Sequence, residues 1–160
     1  MHPSRVVAAS ALLVSTLALA PAPASAASGP PVLNADVVPS VPTDPSIFGV
    51  KAGGLPWVLA EGEVHVRPSG RTDVHLEGLQ VLRTDGSTDN PIASITVSLY
   101  CGGTLAARSA PQPLSVPAGD ARFRVQLSVP ATCDGATVLV NPAVSNGTVY
   151  IASATAADET

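Results

Sequence analysis

The chain has 160 residues, of which 46% are apolar and 12% charged, with a net charge of −4 and two cysteines. That length sustains one domain with a real core and not two. Scattered arginines, a single lysine (Lys51) and a mildly acidic balance argue against nucleic acid or an anionic membrane as the partner.

Met1 to Ala26 reads as an export signal. Arg5 gives a positive start, Val6 to Ala20 is apolar, and Ala24-Ser25-Ala26 has the small-x-small pattern cut by signal peptidase. The apolar run is shorter than the ~20 residues that span a bilayer, and Pro21-Ala22-Pro23 interrupts it, which favours cleavage after Ala26 over a membrane anchor. The mature protein is therefore expected to be secreted and extracellular, with no membrane insertion after cleavage. In that oxidising compartment, Cys101 and Cys133 are expected to form a disulfide. The loop they close contributes about 3–4 kcal/mol on the chain-entropy model.

Residues 27–56 carry Pro30, Pro31, Pro39, Pro42, Pro45 and Pro56. Proline donates no amide proton and restricts the residue before it. The segment reads as an extended, largely disordered leader, with Ile47 to Val50 docking at most as an edge strand. Residues 57–154 form the expected domain, followed by a polar tail over 155–160.

Within the domain, short alternating runs are separated by turn residues. Glu61 to Arg67 places Val64 and Val66 on one face; Pro68-Ser69-Gly70 turns the chain, and Thr72 to Leu82 returns with Val74 and Leu76 inward. Gly78-Leu79 marks a bulge or bend, and Thr84 to Pro91 is a loop by composition. The central strand is Ile95 to Cys101, and Thr104 to Ser109 follows it after Gly102-Gly103. A second alternating run, Phe123, Val125, Leu127 and Val129, leads to Cys133. These are read as two neighbouring core strands stapled near one end. Thr137 to Val140 and Val149 to Ala154 complete the set, joined through Asn146-Gly147, a dipeptide suited to a tight hairpin because both positions accept positive φ. Seven or eight short strands in about a hundred residues read as an all-β antiparallel sandwich, immunoglobulin-like in the broad sense. Trp57 lies far upstream of Cys101, unlike the tryptophan between the cysteines of antibody domains.

The combination of Gly54-Leu55-Pro56-Trp57-Val58, Gly62-x-Val64-x-Val66, Gly78-Leu79, Asn90-Pro91, Leu99-Tyr100-Cys101 and Gly119-Asp120-Ala121 resembles a group of small exported bacterial β-sandwich proteins without a known activity. The resemblance covers roughly Gly53 to Ser153 and implies shared architecture. It carries no functional residue across.

The sharpest chemical candidate is the hairpin around Pro68-Ser69-Gly70. With Val66 facing Val74, His65 lies opposite His75, Glu63 opposite Glu77 and Arg67 opposite Asp73. Directly opposed imidazoles sit close enough to share zinc or copper, with Glu63 or Glu77 completing the set. A solvent-facing strand carries polar residues in any case, and a one-residue slip dissolves the site. The only methionine is Met1, so a blue-copper set cannot be assembled. Asp85, Asp89 and Asn90 cluster in one loop and suggest calcium together with Asp120 or Asp134, although such residues are also ordinary turn formers. No Gly-x-Ser-x-Gly, His-Glu-x-x-His or Cys-x-x-Cys motif occurs, and Trp57 and Tyr100 are assigned to packing before a sugar platform. The expectation is a secreted, non-catalytic binding or structural module with no cofactor. Its partner is a protein or cell-envelope component, met through an exposed edge strand. The alternative is an exported metal-binding domain using His65 and His75.

Overall fold

The computed structural model describes residues 29–156. The expected signal, its cleavage site and residues 157–160 lie outside the described residues. In chain order the strands are β1 (Leu33–Asp36), β2 (Val38–Pro39), β3 (Lys51–Ala52), β4 (Trp57–Val58), β5 (Glu61–Val66), β6 (Arg71–Glu77), β7 (Gln80–Leu82) and β8 (Thr88–Asp89). They continue with β9 (Ser94–Cys101), β10 (Thr104–Arg108), β11 (Gln112–Pro113), β12 (Ala121–Gln126), β13 (Thr137–Pro142), β14 (Val149–Tyr150) and β15 (Ala152–Thr155). Eight of them have four residues or more, in line with the seven or eight expected.

Two antiparallel sheets dominate. One has the order β1-β5-β6-β12; the other runs β10-β9-β13-β15-β2, with β11 also paired to β9. Val64, Val66, Val74 and Leu76 from the first sheet share one buried cluster with Ile95, Val97, Leu99, Val138 and Val140 from the second. Each such side chain contributes about 1.5–3 kcal/mol on full burial. The period-2 pattern of the sequence is thus the inside–outside alternation of two sheets packed face to face. A small sheet, β4-β7-β8, brings Trp57 and Val81 into the same cluster. Gly78, at φ +67°, makes the bend that passes the chain from β6 to this small sheet.

The segment expected to be a leader is built into the domain. β1 pairs with β5 and β2 with β15, so Leu33 is buried in the core. Its prolines sit where a sheet tolerates them. Pro39 is on the edge strand β2, and the remainder lie outside strands or beyond the segment's ladders. Residues 41–53 then cross the outer face of the six-stranded sheet. Ile47 and Val50 form a tight bridge rather than an edge strand, with Phe48 between them at φ +51°. Val50 packs with Tyr100, Leu139 and Tyr150, and the Phe48 ring stacks on Tyr100 at 5.1 Å between centroids. The Tyr150 hydroxyl donates to the Pro45 carbonyl at 2.8 Å, and β3 pairs in parallel with β14.

Cys101 and Cys133 are bonded, 32 residues apart in sequence. The strands before the two cysteines, β9 and β12, lie in different sheets and are not the neighbours that the sequence predicts. β9 pairs with β10, β11 and β13, whereas β12 pairs with β6 in the opposite sheet. The disulfide therefore joins the end of β9 to the loop that carries the chain from one sheet to the other. Gly102 N–H donates to Asp134 O at 2.7 Å beside it. Asn146 and Gly147 do take positive φ, +47° and +79°. They close a single 3-10 turn, Ala143–Ser145, inside a longer connection, and not a two-residue hairpin. Arg108 fills the space beside Gly147 and donates to the Asn146 carbonyl at 3.0 Å.

Candidate functional site

The outer face of the four-stranded sheet holds the histidines. The turn is tighter than the sequence reading had it: Gly70 N–H donates to Arg67 O at 2.8 Å, with Gly70 at φ +86°. A Cβ there would collide with the Leu127 carbonyl, so the position requires glycine. This closure sets Val66 against Thr72 and Val64 against Val74. The register differs from the expected one by two residues, an even number, so the buried face is kept while every cross-strand partner changes. His65 is opposite Asp73, Glu63 opposite His75, and Glu61 opposite Glu77. The predicted His65–His75 and Glu63–Glu77 pairs are not formed, and Arg67 does not face Asp73.

Each histidine has a carboxylate of its own strand beside it. His65 Nε2 lies 3.6 Å from Glu63 Oε2, and His75 Nε2 lies 2.9 Å from Glu77 Oε1. His75 Nε2 is also 3.0 Å from Arg122 Nη2. One ring nitrogen cannot donate to a carboxylate and accept from a guanidinium at once. With a lone pair at Nε2 the ring accepts from Arg122; with a hydrogen there it donates to Glu77. A metal at Nε2 has to displace both neighbours. Among the described residues, no three His, Cys, Asp or Glu side chains are grouped to hold a metal ion.

Asp73 is held between Arg124 Nε (2.5 Å) and Arg71 Nε (3.0 Å). Partial burial raises its carboxyl, but the hydrogen bonds and charges of Arg124 and Arg71 outweigh that and hold it below the ordinary value. Arg122 and Arg124 escaped the sequence reading because they arrive through the β6–β12 pairing, about fifty residues apart in sequence. The alternation Ala121-Arg122-Phe123-Arg124-Val125-Gln126 carried the signal. It marked a half-wet strand with basic outer positions but could not name its neighbour. The face is consequently polarised: Asp36, Glu61 and Glu63 lie on the β1–β5 side, Arg122 and Arg124 on β12.

The calcium candidates are already engaged. Arg83 binds Asp89 through Nε and Nη2, which lowers the Asp89 carboxyl, and Asp85 accepts from the Ser87 hydroxyl (2.6 Å) and N–H (2.9 Å), which lowers Asp85. Asn90 is buried and donates to Ile92 O and Ser115 O, at 2.6 and 2.8 Å. Asp120 accepts Gly78 N–H at 2.9 Å. These are turn contacts between neighbouring loops. Trp57 and Tyr100 are 5% and 6% exposed, which assigns both to packing.

A second surface lies at the edge of the six-stranded sheet. Gly102 and Gly103, at φ +56° and +80°, join β9 to β10 through a two-residue turn. That turn makes Cys101 and Thr104 a hydrogen-bonded pair, so Leu105, opposite Tyr100, directs its N–H and C=O away from β9. Leu105 is 43% exposed. A groove of about 420 Å³ runs beside it, lined by Cys101, Thr104, Leu105, Ala106, Val129 and Pro130 among others. The sequence reading found β10 but not this groove, because Val129 and Pro130 come from the inter-sheet crossing. No family model matches this chain, and neither the curated proteins nor the solved structures contain a match to it.

Proposed function

We propose that this chain is an exported, non-catalytic binding module that captures an extended segment of a partner protein at the β10 edge. One observation carries the reading: an unpaired strand edge with outward main-chain groups at Leu105 lies beside an apolar groove. Strand addition supplies main-chain hydrogen bonds, and a groove supplies side-chain selectivity. The ladder shifts register between Leu105 and Ala107. Regular pairing is therefore short, and the groove has to provide much of the affinity. Export is supported by the disulfide, a bond that persists in oxidising compartments, and by the amino-terminal signal pattern. Among the described residues no helix is long and apolar enough to cross a membrane, which is compatible with a released protein.

The experiment is selection of displayed random peptides on the full-length chain, followed by binding to Leu105→Asp. The expected peptides alternate apolar and polar residues and bind the variant at least ~tenfold more weakly. Peptides that bind Leu105→Asp as well as wild type would sink the β10 assignment.

A further inference from the structure

The four-stranded sheet ends in β1 on one side and β12 on the other, and these edges stand apart from the β10 groove. Val37 N–H donates to Gly62 O and Leu127 N–H to Gly70 O, each at 2.9 Å. These bonds make Asp36–Glu63 and Gln126–Arg71 non-hydrogen-bonded pairs. By alternation, Asn34 and Asp36 on β1, and Arg122, Arg124 and Gln126 on β12, turn their N–H and C=O groups away from the sheet. The same residues place their side chains on the outer face. Four antiparallel strands leave β1 and β12 running in opposite directions. A second copy shifted sideways therefore brings its β1 antiparallel to β12, with the pleat in phase.

We propose that copies of this chain associate head-to-tail, β1 of one adding to β12 of the next, with Arg122 opposite Asp36 and Arg124 opposite Asn34 of the neighbouring copy. Charge selects this arrangement. The β12 edge carries Arg122 and Arg124, whereas the β1 side carries Asp36 and Glu63. A twofold β12–β12 contact sets Arg122 against Arg124, and like charges directly opposite are destabilising, whereas a twofold β1–β1 contact sets Asp36 against Asn34 and gains no opposite charge. On the inner side, half-buried Phe123 meets Ala35, and the apolar face continues across the joint. Two other edge strands are interrupted by proline: β2 contains Pro39 and β11 contains Pro113. β1 and β12 contain neither a proline nor a register shift. A head-to-tail contact leaves one edge of each kind open, so it builds chains or rings and does not stop at a dimer.

Sedimentation velocity of the chain as secreted, from about 1 μM to about 1 mM, tests this, with Asp36→Lys, Arg122→Glu and the double variant. Wild type is expected to grow past the dimer as concentration rises, and each single variant to weaken association at least ~tenfold. The double variant, in which lysine now meets glutamate across the joint, restores it. Within one copy Asp36 and Arg122 are separated by β5 and β6, so restoration reports contact between copies. Circular dichroism and thermal midpoints verify that each variant folds. For a variant that does not fold, Asn34→Pro removes an outward N–H of β1 and is expected to give the same loss. A wild type that stays monomeric overturns the proposal, as does a species that stops at two. Association indifferent to the single changes, or a double variant no better than either, does the same.

Discussion

The outer faces of the two sheets differ in what covers them. The four-stranded sheet turns Glu63, His65, Asp73, His75 and Arg124 to solvent, and its strands β5 and β6 alternate in burial. The central strands β9 and β13 of the six-stranded sheet are covered on both sides. From Ile95 to Tyr100 every residue of β9 is buried, including Thr96 and Ser98. Residues 41–53 cover Tyr100 and Leu139 on that face, and Arg108 with the connection from β13 to β14 lies at Ser98 and Asn141; polar side chains so removed from water need partners within the protein. Ser98 Oγ donates to Asn141 Oδ1 at 2.8 Å and accepts from Arg108 Nε at 2.9 Å, while Asn141 Nδ2 donates to Val149 O at 2.7 Å. Thr96 Oγ1 is the one buried side-chain oxygen or nitrogen among the described residues without a partner. Stability is therefore expected to reside on the covered face, and the open face to tolerate change.

The largest break in that contrast is Tyr100→Ala. It removes a ring buried against Val50, Leu139 and Tyr150, and should cost about 3–5 kcal/mol in denaturant unfolding. His75→Ala on the open face should stay within ~0.5 kcal/mol. Replacing Cys101 and Cys133 together by serine should cost about 3–4 kcal/mol in the same assay, because the unfolded chain regains the freedom of the closed loop. A smaller effect is expected from Tyr150→Phe, which deletes the hydrogen bond to the Pro45 carbonyl and should cost about 1 kcal/mol. Its signature is faster amide exchange at Val50 and Gly53 with little change in the core strands. Burial, with the charge of Asp44, raises the Tyr150 hydroxyl above its ordinary value, so this tyrosine stays a donor through neutral pH.

The smallest predicted effect belongs to the open face and depends on pH. Asp73 is held below its ordinary value of 3.8. A depressed carboxylate contributes stability above its unfolded value and loses it as pH falls through the folded one. The difference in stability between wild type and Asp73→Asn should therefore be flat near neutrality and shrink below about pH 4. Thermal midpoints across that range check it, and a difference that widens on acidification would contradict the assignment of Arg124 and Arg71 as its partners.

The same contrast explains what was legible in the sequence. Open-face alternation at Val64, Val66, Val74 and Leu76 identified strands and their buried sides, since one side is wet. It could not set register, because a two-residue shift preserves the pattern while exchanging His65's partner from His75 to Asp73. The covered face was harder. Prolines over residues 27–56 signalled a leader, yet Val50 and Leu33 are core residues. Val50 is buried by Tyr100 and Tyr150, and Leu33 by the core between the sheets that it reaches through β5; these partners lie far along the chain, which local propensity does not register. The disulfide was legible from compartment and count; that it ties β9 to the loop crossing between the sheets was not, since strand order is set by non-local pairing.

Amide hydrogen exchange along β10, read residue by residue in the full-length chain with and without the tightest selected peptide, bears most directly on the edge-capture function. Fast exchange at Leu105 in the free chain, slowed at least ~tenfold by the peptide, is the predicted result. Protection of Leu105 before any peptide is added, or no change at saturation, would contradict an open β10 edge as the binding surface.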